Sequence, residues 1–145
     1  MPNRTDALLL VEDNPDDVAL ILRAFRRAGL SCPVVVAHDG VEALDCLFAC
    51  RERALPKVVV LDLKLPRLDG MGVLKAIRAD PRTCLIPVLI LTSSQLDDDL
   101  TGCYTLGANS YLVKPVDFSQ FVTMVALMTT YWLTLNQSAP TQVAP

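Results

Sequence analysis

Pro56-Lys57-Val58-Val59-Val60-Leu61-Asp62-Leu63-Lys64-Leu65-Pro66 sets an unbroken apolar, β-branched run against a carboxylate. A strand with one wet face alternates apolar and polar residues, whereas a parallel strand covered on both faces does not. The run therefore reads as a central parallel strand, about Val58–Leu63. Three other runs share its form: Leu8-Leu9-Leu10-Val11 leads into Glu12-Asp13, Val88-Leu89-Ile90-Leu91 into Thr92, and Tyr111-Leu112-Val113 into Lys114-Pro115. Ligands of an open parallel sheet bind beyond the carboxyl ends of its strands. One edge thus collects the carboxylates of Glu12, Asp13 and Asp62, the Thr92 hydroxyl and the Lys114 ammonium.

Helical patterns fill the intervals. After strand 1 (about Ala7–Glu12), helix 1 opens with Asn14 as N-cap, Pro15 at the first helical position and Asp16-Asp17 in the first turn. Val18, Ile21, Leu22, Phe25 and Ala28 keep helical spacing until Gly29 stops it. Strand 2 is about Val34–Ala37 and helix 2 about Val41–Arg51, while the loop Lys64–Asp69 opens a helix 3 that ends near Asp80-Pro81. Helix 4 is about Leu96–Leu106, with Asp97, Asp98 and Asp99 where the helix dipole favours acids. Strand 5 is about Ser110–Val113, and helix 5 starts at Asp117 and reaches towards Asn136. Five strands alternating with five helices predict an α/β, doubly wound, five-stranded parallel sheet. One domain over residues 1–136 and a flexible tail over 137–145 are expected.

A chain of 145 residues, 52% of them hydrophobic, can fill one sizeable core. Its net charge of −3 argues against a nucleic-acid partner, which needs a basic surface. The first apolar run is too short for a signal sequence. Five cysteines without a C-x-x-C pair, beside a single His, give no zinc pattern and fit reduced, buried thiols. A cytoplasmic protein with no membrane anchor is the expectation.

Glu12, Asp13 and Asp62 brought together would repel one another and raise at least one pKa. Lys114 alone does not balance them. A hard dication does, and Mg²⁺ suits better than Ca²⁺ because it keeps waters and takes a few carboxylates plus a phosphate. For any single residue a buried Lys–Asp ion pair is the plainer reading, but the whole set favours the metal. Asp62, on the central run, then becomes the expected phosphoryl acceptor, by aspartyl-phosphate chemistry. Lys114 and the Thr92 hydroxyl are placed to neutralise or hydrogen-bond the equatorial oxygens.

Leu10-Val11-Glu12-Asp13-Asn14, Leu61-Asp62-Leu63-Lys64-Leu65-Pro66 with Asp69-Gly70, Leu91-Thr92 and Tyr111-Leu112-Val113-Lys114-Pro115 together resemble the receiver domains of response regulators, over roughly residues 7–133. The resemblance implies a flavodoxin-like strand order 2-1-3-4-5. It also implies Mg²⁺ on Asp13, Asp62 and the backbone carbonyl of Lys64, and phosphorylation of Asp62 by a sensor histidine kinase. Thr92 and Tyr111 would form the switch, with a cis bond before Pro115. Asn14-Pro15-Asp16-Asp17 and Tyr131-Trp132-Leu133 resemble the single-domain regulators paired with phytochrome-type sensor kinases. Two positions depart from the commonest pattern. Ser93 stands where a smaller residue is usual, and Lys64 would either shield an acyl phosphate from water or orient water towards it. With little chain after helix 5, output is expected through protein–protein contacts of the receiver surface or onward relay.

Two other functions on such a sheet edge fare worse. A phosphatase of the haloacid-dehalogenase type places a second Asp two residues after the first, and Lys64 stands there. A flavin or nucleotide module wants a glycine-rich loop after strand 1, where Asp13-Asn14-Pro15-Asp16-Asp17 would repel phosphates.

Two surfaces remain. Leu20 and Ala24 on helix 1 fall opposite the core stripe near the site, a docking patch for a kinase helix. After Asp117 the chain carries no charged residue. Phe118, Phe121, Val122, Val125 and Met128 cover the sheet, which leaves Met124, Leu127, Tyr131 and Leu135 as a second stripe with Trp132 beside it. The stretch is nearly long enough to cross a membrane, but it is needed to close the domain. A homodimer is therefore expected, and the resemblance places it on helix 4, strand 5 and helix 5.

Overall fold

In this computed structural model residues 6–49 and 54–140 are described. Every residue of β1 (Leu8–Val11), β3 (Val58–Leu61) and β4 (Val88–Thr92) is buried. Alternation along a strand sends neighbours to opposite faces, so each apolar run feeds two cores. Leu9, Val11, Val59, Leu61 and Ile90 pack with α2 (Gly40–Phe48), α3 (Gly70–Ala79) and Cys103 of α4 (Asp97–Thr105). Leu8, Leu10, Val58, Val60 and Leu89 pack with α1 (Pro15–Arg27) and α5 (Phe118–Thr129). With β2 (Val34–Ala37) and β5 (Ser110–Val113) at the edges, the sheet is parallel throughout in the order β2-β1-β3-β4-β5. This is the flavodoxin-like receiver arrangement.

The helix starts follow their side chains. Asn14 accepts from the amides of Asp16 and Asp17, Asp39 from Glu42, Asp69 from Gly72 and Asp117 from Gln120. Arg78, near the end of α3, donates to the carbonyls of Gly107, Cys84 and Ile86 and to Asn109 Oδ1, at 2.7–3.0 Å. Asn109 Oδ1 also accepts from the Val88 amide. The guanidinium thereby ties α3 to the loops that begin β4 and β5, and burial draws its pKa down.

Four expectations need correction. Helix 2 ends at Phe48 rather than Arg51, which lies outside the described residues, as do residues 141–145 of the expected tail. Ala24 is fully buried, because α1 packs against α5 and Ala24 sits in that contact with Phe121 and Val125; only Leu20 of the expected docking pair is exposed. No cis peptide bond occurs among the described residues. The bond before Pro115 is therefore trans, the isomer that X-Pro bonds favour by about 0.5–1 kcal/mol. Helix 5 is α-helical only to Thr129, and Thr130–Leu135 continues as a π-helix. There the Asn136 amide reaches back to the Tyr131 carbonyl and Lys57 Nζ takes the Leu133 carbonyl at 2.7 Å.

Gly70 brings α3 onto the loop after β3. A Cβ there would collide with the Asp62 carbonyl and lie 2.7 Å from Leu63 Cα, both backbone atoms that cannot yield cheaply. We expect Gly70→Ala to lower stability by about 2 kcal/mol, read as a lower urea midpoint at unchanged slope. An unchanged midpoint would show that this approach is loose.

Candidate functional site

The sheet ladder itself fixes the strand-end residues. The Glu12 amide donates to Ala37, Asp62 to Val11 and Lys114 to Thr92, at 2.8–3.0 Å. Glu12, Asp13 and Asp62 each place one carboxylate oxygen within 4.8 Å of the others. Lys114 Nζ lies 2.5 Å from Glu12, 3.2 Å from Asp17 and 3.4 Å from Asp62. The Leu63 amide holds Asp62 Oδ1 at 2.7 Å, leaving Oδ2 to the lysine.

Burial pushes the Glu12 carboxyl up to about 7, and the Asp62 charge adds to that, against the pull of Lys114. Burial alone would lower the Lys114 ammonium, yet its hydrogen bond to Glu12 and the Asp62 charge carry it up to about 12. The lysine is thus held as a cation, while burial favours the protonated form of Glu12. Three close carboxylates, one of them raised by burial, form an oxygen donor set that a hard dication fits.

Thr92 is fully buried and its hydroxyl accepts from the Ser94 amide at 3.2 Å. Tyr111 donates to the Ser94 carbonyl at 3.1 Å. One residue that the sequence reading did not single out therefore joins both members of the expected switch. Tyr111 is half buried against that loop. Ser94 Oγ in turn donates to Asp99 of α4 at 2.5 Å. Ser93 and Lys64 are both exposed. Asp17 is the other residue missed. Its signal lay in Asn14-Pro15, which fixes the first turn of α1 over the edge and brings Asp17 to Lys114.

Beside the site the loop from β3 to α3 turns tightly at Arg67, which has φ 67° while the Leu68 amide donates to Pro66. Arg67 pairs with Asp39, the cap of α2, at 3.2 Å.

This fold and edge are those of a signalling receiver module. The model of the response regulator receiver domain family matches residues 8–126, and the chain belongs to that family. It is similar to the probable methanogenesis regulatory protein FilR2 of Methanothrix harundinacea, 44% identical over 133 residues, 90% of this chain and 86% of the relative. Response regulator Rcp1 of Synechocystis sp. is 32% identical over 134 residues, 90% of this chain and 91% of Rcp1. The crystal structure of the phosphorylated cyanobacterial phytochrome response regulator RcpA superposes with TM-score 0.84 at 33% identity, covering 93% of this chain and 99% of RcpA. The Mn²⁺-bound form of Rcp1 gives TM-score 0.84 at 29% identity, covering 94% and 100%. The chain is a receiver-domain regulator related to phytochrome response regulators, and the phosphatase reading has no support among these relatives.

Removing Lys114 would strand Glu12 among like charges. A carboxyl whose folded pKa exceeds its unfolded value costs stability as pH rises from about 4.5 through that raised value. Lys114→Ala in chelator should therefore cost about 3 kcal/mol at pH 8 and much less at pH 5, where Glu12 is neutral. Equal losses in urea unfolding at both pH values would contradict this assignment of charge.

Proposed function

We propose that the chain accepts a phosphoryl group on Asp62 from a phosphohistidine of a sensor histidine kinase, of the phytochrome type, in the cytoplasm. Output is by altered protein contacts or by passing the phosphoryl onward. The observation that carries this reading is the grouping of Glu12, Asp13 and Asp62 around the single ammonium of Lys114. In the transfer one Asp62 oxygen forms a bond to phosphorus as the bond to the imidazole nitrogen breaks, and the imidazole leaves with the electron pair. Mg²⁺ would be held by Glu12, Asp13, Asp62 and the Lys64 carbonyl, and when bound it offsets charge on the phosphoryl oxygens. Lys114 neutralises a further oxygen. Thr92 would leave the Ser94 amide for the phosphoryl, releasing the loop that Tyr111 also holds, so a local hydrogen bond biases the α4 surface. The chain acts as a stoichiometric acceptor and not as a turnover catalyst.

Intact mass after acetyl phosphate should show one added phosphoryl with Mg²⁺ and none with chelator or in Asp62→Asn. Modification that persists in Asp62→Asn would remove the assignment.

We also propose a homodimer through α4, β5 and α5. Leu127, Tyr131 and Leu135 recur every fourth residue and are 69%, 50% and 63% exposed. Leu127 borders a groove of about 450 Å³ that Leu112, Met124 and Trp132 also line. Met124 and Trp132 are half committed to the core, so the exposed trio carries the contact. At the cap of α4 and along it, Leu96, Leu100 and Tyr104 repeat the same spacing. Light scattering at micromolar concentration should give twice the 15.8 kDa chain mass, and Leu127→Glu a monomer that still takes phosphoryl. A wild-type monomer both with and without beryllofluoride would overturn the dimer.

A further inference from the structure

Lys114 has a fully subscribed ammonium. An ammonium offers three donors, and Glu12, Asp17 and Asp62 stand around it at 2.5, 3.2 and 3.4 Å. A phosphoryl oxygen that is to receive the lysine must displace one of them. Glu12 is 1% exposed and holds the lysine at 2.5 Å, the shortest of the three contacts. Asp62 carries the phosphoryl itself. Asp17 has a side chain 39% exposed, so water can replace the lysine there at small cost.

From this geometry we infer that Asp17 is a positioning residue for phosphoryl transfer, a competing partner of Lys114 that the incoming phosphoryl must outbid. The inference rests on Asp62 being the phosphoryl acceptor. Asp17 is held in place independently of the lysine, because the Asn14 side chain accepts from the Asp17 amide at 3.2 Å and fixes the first turn of α1. Asp17 therefore sets how much of the ammonium is free for the phosphoryl oxygens, without itself touching the reacting atoms. Its neighbour Asp16 has the same charge and is bound by the same cap, but is exposed and has no contact with Lys114 among the described ion pairs. The two positions thus separate an ion-pair effect from a general charge effect.

The test uses the full chain with saturating Mg²⁺ and measures beryllofluoride affinity by calorimetry for wild type, Asp17→Asn, Asp17→Glu and Asp16→Asn. Asp17→Asn should bind beryllofluoride roughly two- to fivefold more tightly, the range of a half-exposed ion pair. It should also be modified faster by acetyl phosphate. Asp17→Glu, which keeps the carboxylate, should stay near wild type, and Asp16→Asn should match wild type. In NMR the Lys114 Cε–Hε signal should move in Asp17→Asn before any beryllofluoride is added, and stay in place in Asp16→Asn. Equal effects in the two Asn variants, or weaker binding in Asp17→Asn, would overturn the competing-partner role. Beryllofluoride binding by wild type together with either of those results removes this inference alone. A wild type that binds none removes the phosphoacceptor reading and the inference together.

Discussion

The Lys114 ammonium is the interaction on which the rest of the edge depends. It is drawn from β5, yet its partners come from the end of β1, the first turn of α1 and the end of β3. Without it, carboxylates delivered by separate elements would meet in a partly desolvated place and drive those elements apart. With it, they are held close but not neutralised, since three acids share one base. That residual deficit of positive charge makes the edge receptive to a dication, and through the dication to an anion. Glu12 is the most deeply buried of these acids, and the loss of hydration raises its pKa.

Much of this was legible in the chain. Runs such as Val58–Leu61 suit a sheet covered on both faces, and the polar residue ending each run marks one edge of it. Asn14-Pro15 and Asp117 announce their helices because capping is a local affair of a few atoms. What was not legible depends on how elements meet. Ala24 reads as solvent-facing from helical spacing alone, and only the packing of α1 on α5 buries it. The π-helical turn at Thr130–Leu135 has no sequence mark; it accompanies the long-range bond from Lys57, 76 positions away in the chain, to the Leu133 carbonyl. Ser94 escaped notice because it works mainly through its backbone, its amide serving Thr92 and its carbonyl serving Tyr111. Backbone groups leave no signature in residue type.

The uncharged last helix shows how one segment divides its duties. Phe121, Val125 and Met128 close the second core, so the inward half of α5 belongs to the fold. The outward half holds large apolar side chains, Leu127, Tyr131 and Leu135, in contact with water. Length and composition alone would let Phe118–Leu135 cross a bilayer, but its inward face is already committed to this domain.

Arg78 has a mechanical consequence. Its guanidinium, with Asn109, clamps the chain where β4 and β5 begin, far from the edge where those strands end in Thr92 and Lys114. Each strand is thus anchored at its base like a reed. The bonds to the Cys84 and Ile86 carbonyls pin the base of β4 against sliding of the strand. At the other end the Thr92 hydroxyl meets the loop at Ser94, whose own hydroxyl meets Asp99 of α4. A guanidinium remote from the carboxylates thus fixes the opposite ends of the strands that carry Thr92 and Lys114.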